Sequence, residues 1–240
     1  MSGILVTGTD TGVGKTAVAA GLTALLRGEG FRVAAMKPAE TGHTGPGWPA
    51  DAACLREASG LDLPRATVVP FVFAEPLAPN VAARGEGRPV DPLALDAAYA
   101  ELAAGHDLVV VEGAGGLSVR ITDDLDHADL ARRWGLPVLV VARAGLGTLN
   151  HTLLTVSYAH QRGLRVLGVV VNGMPSRPDA AAATNPDEMR RILAPLGVPV
   201  LGVLPWMEGV DTGAGRWRPM EGALRRHLDL AAMRAWVPTP

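Results

Sequence analysis

Short, mostly apolar runs recur along the chain, each broken by glycine or proline and followed by a stretch of helical composition. The runs are Ile4-Leu5-Val6, Phe31 to Met36, Leu108 to Val111, Pro137 to Ala142, Val166 to Val171 and Val198 to Leu204. Continuous apolar runs of this length, rich in valine, read as strands buried on both faces. Between them the pattern predicts helices over Ala17 to Leu26, Ala52 to Ser59, Leu93 to Ala103, Leu125 to Trp134, Leu149 to Arg162 and Pro186 to Leu193. Asn185 as cap, Pro186 in the first turn and Glu188 three residues after the cap mark the start of the last one. Strands that alternate with helical crossovers give an α/β fold, a mainly parallel sheet with helices on both faces. From Leu61 to Pro92 prolines at 64, 70, 76, 79, 89 and 92 obscure the period. A short strand near Val68 to Phe73 and a short helix near Asn80 are expected there, and a terminal helix over the basic tail Arg218 to Ala235.

At 240 residues the chain has the length of one large α/β domain, and residues 1–240 are expected to form a single core. A net charge of −2 argues against a nucleic-acid partner and for small molecules. Cys54 is alone, so no intrachain disulfide forms, which fits a reducing cytoplasm. The first apolar run stops after three residues, so no secretory signal is expected. The other runs are strand-length, short of the roughly 18 residues of a membrane span. None of His127, His151 and His160 is paired with a nearby Cys or His at metal-ligand spacing. The serine elbow G-x-S-x-G is absent as well.

Chemistry concentrates where strands end. After Ile4-Leu5-Val6 comes Thr7-Gly8-Thr9-Asp10-Thr11-Gly12-Val13-Gly14-Lys15-Thr16, a glycine turn opening a helix. Backbone N–H groups converge on an anion in such a turn, the lysine reaches β and γ phosphates, and the threonine hydroxyl ligates Mg²⁺. The loop is a variant, because the simplest pattern puts glycine at Thr9 and here it is Gly8. Gly12 to Ala17 also fits the dinucleotide fingerprint, which asks for an acid at the end of the second strand, where this chain has Lys37-Pro38. The loop Lys37 to Gly42 falls beside the phosphate loop. Asp51 reads either as a ligand or as the N-cap of the following helix. Glu112 stands at the tip of a buried strand, before Gly113-Ala114-Gly115-Gly116. Burying that carboxylate costs several kcal/mol unless a cation compensates, and Mg²⁺ near the phosphates would do so. A further loop, Gly147-Thr148-Leu149-Asn150, opens the helix Leu149 to Arg162, whose N-terminal N–H groups suit a carboxylate, unless Thr148 merely caps it.

Gly8 to Thr16, Lys37-Pro38-Ala39-Glu40-Thr41-Gly42, Val111 to Gly116, Val171-Asn172 and Leu204-Pro205-Trp206 together resemble the dethiobiotin synthetase family in content, order and spacing. The resemblance runs from about Gly3 to Met207 and leaves out the loop Met174 to Thr184 and the tail 208–240. It implies a homodimeric, ATP- and Mg²⁺-dependent ligase that inserts CO₂ into 7,8-diaminopelargonic acid and closes the ureido ring of dethiobiotin. By resemblance Lys15 is the phosphate lysine and Lys37 the active-site lysine. Thr16, Asp51 and Glu112 become the metal ligands. Thr11, Gly12, Val13, Gly14, Ala17, Gly113, Ala114 and Gly115 join them around the nucleotide phosphates, and Asn172, Gly173, Pro205, Trp206 and Met207 line the adenine pocket. Thr41 contacts substrate. Gly147, Thr148 and Asn150 of the neighbouring subunit hold the substrate carboxylate. Three positions depart from the family pattern: Thr41 for the common serine, Gly12 where some relatives have glutamate, and Ala39 for valine. The alternatives lie in the same superfamily. An amide-forming synthetase of the cobyrinate type would carry a nucleophilic cysteine, and a partitioning ATPase would carry an early loop lysine where this chain has Thr9-Asp10. A non-enzymatic nucleotide switch is the third.

Overall fold

In the computed structural model, which describes residues 3–234 and 236, the chain runs β1 (Gly3–Gly8), α1 (Lys15–Gly28), β2 (Val33–Met36), β3 (Ala39–Thr41), α2 (Ala50–Ser59), α3 (Arg65–Val68), β4 (Phe71–Phe73), α4 (Pro79–Gly85) and α5 (Pro92–Gly105). It continues through β5 (Leu108–Gly116), α6 (His127–Arg133), β6 (Val138–Arg143), α7 (Thr148–Gln161), β7 (Val166–Met174), α8 (Ala180–Leu193), β8 (Val200–Pro205), α9 (Pro219–His227) and α10 (Leu230–Arg234). The main sheet has six strands in the order β2-β5-β1-β6-β7-β8, every neighbouring pair parallel. Side chains of one strand alternate between two cores. Ile4 and Val6 join the core that holds α1, while Leu5 joins the core that holds α5. Burial on both faces is why these strands read as unbroken apolar runs. No helix of the described residues is long and apolar enough to cross a membrane.

Several boundaries differ from the expectation. Residues 39–41 are not loop but pair in parallel with Phe71–Phe73 as a two-stranded sheet. The expected strand over Val68 to Phe73 survives only as β4, because Pro64 precedes a helical turn at Arg65–Val68 and Pro70 ends it. Pro186 does not open its helix. α8 begins at Ala180 behind Asp179, whose carboxylate accepts from Ala182 N, and Pro186 sits inside it. Asn185 is buried, and its amide donates to the carbonyls of Ala144 (2.9 Å) and Gly145 (3.0 Å) instead of capping. The tail is two helices, not one. At Leu228 the backbone extends to bridge Gly202, and Asp229 N donates to Leu201 O at 2.8 Å. Trp217, Met220, Leu224 and Met233 of this tail belong to the α1-side core.

Candidate active site

Four strand ends, those of β1, β5, β6 and β7, meet along one rim of the main sheet, and the glycine turn between β1 and α1 lies across them. Gly14 caps α1 at φ 89°, and a Cβ there would collide with the Asn172 amide, so only glycine serves. No side chain caps α1 and no acid occupies its first turn. The first N–H groups of the helix therefore remain for an anion. Lys15 folds back over the turn, its Nζ donating to Asp10 O at 3.1 Å. Burial pushes its ammonium below the ordinary lysine value, with Lys37 adding to the effect and Glu112 opposing it.

Beside this turn lies a buried ionic cluster. Lys37 Nζ donates to Asp51 Oδ2 at 2.7 Å and to Glu112 Oε1 at 2.8 Å, and Thr16 Oγ1 donates to the same Glu112 oxygen at 2.7 Å. Lys37 is 3% exposed and Glu112 1%, so the pair is cut off from water. Burial alone would lower the Lys37 pKa, but the charges of Glu112 and Asp51 outweigh it and hold the ammonium above the ordinary lysine range. Burial raises the Glu112 carboxyl in spite of Lys37, and Asp51 adds to the rise. Asp51 itself stays below its ordinary value, because Lys37 overrides the effect of burial. Asp51 is not the cap of its helix. α2 starts one residue earlier, behind Pro49, and its first free N–H groups, those of Asp51 and Ala52, donate to the two carboxylate oxygens of Glu40, each at 2.9 Å. Glu40 thus caps α2 from a distance and leaves the Asp51 carboxylate to Lys37.

A cavity of about 380 Å³ opens over this cluster, lined by Thr11, Gly12, Gly14, Lys15, Thr16, Ala17, Lys37, Thr41, Asp51, Glu112, Ala114 and Gly115, and also by Glu40, Val210, Asp211 and Thr212. A second, of about 270 Å³, adjoins it across Gly12, Gly14, Ala17 and Val210 and takes in Val13, Asn172, Gly173, Pro205, Trp206 and Met207. Asn172 is tied to the glycine turn by its amide, which donates to Val13 O at 2.9 Å. Nearly every residue singled out from the sequence therefore reaches one of two adjoining cavities. Gly113, Gly147, Thr148 and Asn150 line neither. Gly147, not Thr148, caps α7, at φ 88° and without a side-chain bond. The Thr148 side chain turns inward, 0% exposed, and its backbone N–H donates to Gly145 O at 3.3 Å. Sequence reasoning missed Glu40 and the segment Val210-Asp211-Thr212 in the first cavity and Arg143 in the second. Glu40 carried a signal, an acid four residues past the strand end at Met36. The segment carried none.

The donor set fits a hard divalent cation. Thr16, Asp51 and Glu112 present oxygen only, and Glu112 Oε2 is buried without a hydrogen-bond partner. Mg²⁺ is usually held by one or two carboxylates plus phosphate oxygens. Among the described residues, no group of three or more His, Cys, Asp or Glu is arranged to hold a metal.

A family model described as an AAA domain matches residues 2–213. The chain is 50% identical over 206 residues to the ATP-dependent dethiobiotin synthetase BioD of Anaeromyxobacter sp. (strain K), covering 86% of this chain and 91% of that protein. To the protein of the same name from Bacillus subtilis (strain 168) it is 39% identical over 210 residues, 88% of this chain and 90% of the other. Among solved structures it is similar to a ParA family ATPase from Chlorobium tepidum TLS (TM-score 0.52, 15% identity, 93% of this chain and 92% of that one). It is also similar to the cell division ATPase MinD of Pyrococcus furiosus (TM-score 0.51, 17% identity, 94% and 99%). These two likenesses speak to the fold alone.

Proposed function

The chain belongs to the ATP-dependent dethiobiotin synthetases, ligases by activity, and from that premise we propose that it uses ATP and Mg²⁺ to insert CO₂ between the two amino groups of 7,8-diaminopelargonic acid. The observation that carries this reading is the Lys37 ammonium buried between Asp51 and Glu112 on the rim of the phosphate-loop cavity. The first amine of the diamine adds to CO₂ and loses a proton, giving a carbamate. A carbamate oxygen then attacks the γ-phosphorus and ADP leaves. The second amine attacks the carbonyl of the mixed anhydride and loses a proton, and inorganic phosphate departs as the ring closes. Every intermediate is anionic, so the site's task is positioning and charge compensation rather than proton abstraction.

Each role falls to a named group. Lys15 and the first N–H groups of α1 hold the phosphate chain. Thr16, Asp51 and Glu112 would hold Mg²⁺, which on binding offsets phosphate charge and polarises a phosphoryl oxygen. Lys37, released from at least one of its carboxylates when nucleotide enters, turns its ammonium to the carbamate and the γ-phosphate. Thr41, half-buried on the cavity wall, contacts the diamine. The adenine lies in the second cavity between Asn172 and Trp206.

The substrate carboxylate is assigned to the α7 N-terminus of a neighbouring subunit. Two features support this: no side chain caps the start of α7 at Gly147, and Leu146 before it and Leu154 within it are 83% and 61% exposed, apolar surface suited to a second copy of the chain. The deciding assay is ADP release with diaminopelargonic acid and bicarbonate omitted in turn. Release should need both, and equal turnover without either would refute the assignment.

A further inference from the structure

His127, the first residue of α6, is 0% exposed and takes no part in the scheme above. Its Nε2 lies 2.9 Å from the Ala114 amide nitrogen, and its Nδ1 lies 3.0 Å from the Val119 carbonyl oxygen. A backbone N–H can only donate and a carbonyl can only accept. The ring is therefore neutral, with its proton on Nδ1 and its lone pair on Nε2 facing Ala114. The position of the ring is fixed from both sides. Asp126 and Asp129 close a capping box around it, their bonds 3.1 and 2.9 Å, and Ala128 N donates to Leu117 O at 3.2 Å. Gly113 makes room for it, since a Cβ there would stand 3.0 Å from the ring carbon Cδ2. On the far side of the bonded peptide, Ala114 and Gly115 form a wall of the cavity that holds Lys15, Lys37 and Glu112.

We propose that His127 is a positioning residue for the ligase reaction: through its Nε2 lone pair it sets the plane of the Gly113–Ala114 peptide, and so the face that Ala114 and Gly115 turn to the transferring phosphate. The proposal rests on the reading of this cavity as the nucleotide phosphate site. A glycine-rich turn can rotate its peptide planes at little cost, and each rotation exchanges an N–H for a carbonyl on the side that meets an anion. An N–H spent on the imidazole is not offered to phosphate, and because the N–H and C=O of a trans peptide point opposite ways, the same bond fixes the direction of the Gly113 carbonyl. An apolar side chain of similar size would fill the space without accepting a bond. The Ala114 N–H would then be buried and unpaired, and the plane free to turn toward the phosphate for a partner.

The test pairs two variants with one measurement on the unaltered protein. His127→Gln can place an amide oxygen near the Nε2 position, whereas His127→Leu offers no acceptor. Glutamine should keep kcat within about threefold, and leucine should lose about tenfold or more, the scale of one lost hydrogen bond next to reacting atoms. The Kd for ADP should stay put in both. In the ¹⁵N-labelled wild type, NMR should show the Nδ1–H tautomer and a scalar coupling between the Ala114 nitrogen and His127 Nε2, and both signals should move when ADP and Mg²⁺ are added. A leucine variant at full kcat, or a wild type with its proton on Nε2, overturns the proposal while leaving the nucleotide reading intact. A kcat and an ADP affinity that fall together would also overturn it, by reducing His127 to a core residue. Wild type that ignores ADP would overturn the reading of the cavity, and the proposal with it.

Discussion

Replacing Lys37 by methionine removes the charge and keeps most of the stem, and two effects of opposite dependence on metal should follow. The first concerns stability. Glu112 is 1% exposed and loses its cation, keeping only the Thr16 hydroxyl. Breaking a buried pair from one side costs about 3–5 kcal/mol. Asp51, with its side chain 29% exposed, can turn to water and adds less. At about 2–4 °C per kcal/mol for a chain of this length, the melting temperature in EDTA should fall by roughly 6–20 °C. Replacing Glu112 by glutamine in the same chain removes the stranded charge, so Lys37→Met/Glu112→Gln should melt above the single Lys37→Met variant. Mg²⁺ should also recover part of the loss, because it supplies charge to the same oxygens. The second effect is on turnover. A cation about 4 Å from a developing anion contributes roughly 4 kcal/mol at an effective dielectric near 20, up to about a thousandfold in kcat. No Mg²⁺ concentration should restore that. Differential scanning calorimetry with and without Mg²⁺, alongside the ADP-release assay, reads both. A Lys37→Met protein as stable as wild type in EDTA, or a double variant no better than the single one, would refute the electrostatic argument.

Asp51→Asn should raise the Mg²⁺ concentration for half-maximal activity several-fold, and an unchanged requirement would remove Asp51 from the metal site. Gly147→Asp and Lys15→Ala should each be inactive, the first by repelling the substrate carboxylate. When they are mixed under subunit exchange, half the dimers are hybrid with one intact site each, so about a quarter of normal activity should return if sites are shared. Confirmed exchange with no activity would count against sharing. His127 carries the pH dependence. Burial, reinforced by the charges of Lys37 and Lys15, pushes its pKa from the ordinary 6.5 down to about 4. The folded value lies below the unfolded one, so the contribution is complete above about pH 6.5 and is lost as pH falls toward 4, amounting to about 3 kcal/mol. Urea titrations of wild type and His127→Leu at pH 7 and pH 4.5 should converge as pH falls, and a constant gap would show that His127 titrates alike in the folded and unfolded chain and refute the lowered pKa.

The sheet was legible because its strands are buried on both faces and therefore apolar without interruption, and the phosphate turn because glycine is obligatory at Gly14. What escaped were contacts that no local pattern encodes. Asn185 has the composition of a cap and is followed by proline, yet its amide is used on the carbonyls of Ala144 and Gly145. The alanines at 180–183 start the helix instead, behind Asp179. Asp51 read equally as cap or ligand, since its freedom depends on Glu40, eleven residues upstream and on another element. His127 showed no ligand spacing because its partners are two backbone groups. The segment 210–212 reaches the cavity only because the tail beyond it is anchored, Arg218 and Gly215 N both bonding to Glu57 on α2.

The antiparallel bridge between Gly202 and Leu228 has a bearing on how the protein behaves in concentrated solution. β8 is the last strand of the sheet, and a bare edge of parallel strand is a template on which other chains add. Here Leu228 and Asp229 lie along that edge, and Gly202 lets them approach, since any Cβ at that position would strike the His227 carbonyl. Gly202→Ala touches none of Lys15, Lys37, Asp51 and Glu112 and would lift Leu228 and Asp229 from β8, uncovering Leu201 together with the strand's unpaired amides, while Glu57 still holds the tail at Gly215 and Arg218. Its expected phenotype is self-association rather than lost chemistry: light scattering that grows with protein concentration and temperature, in a preparation whose freshly isolated monodisperse fraction turns over normally.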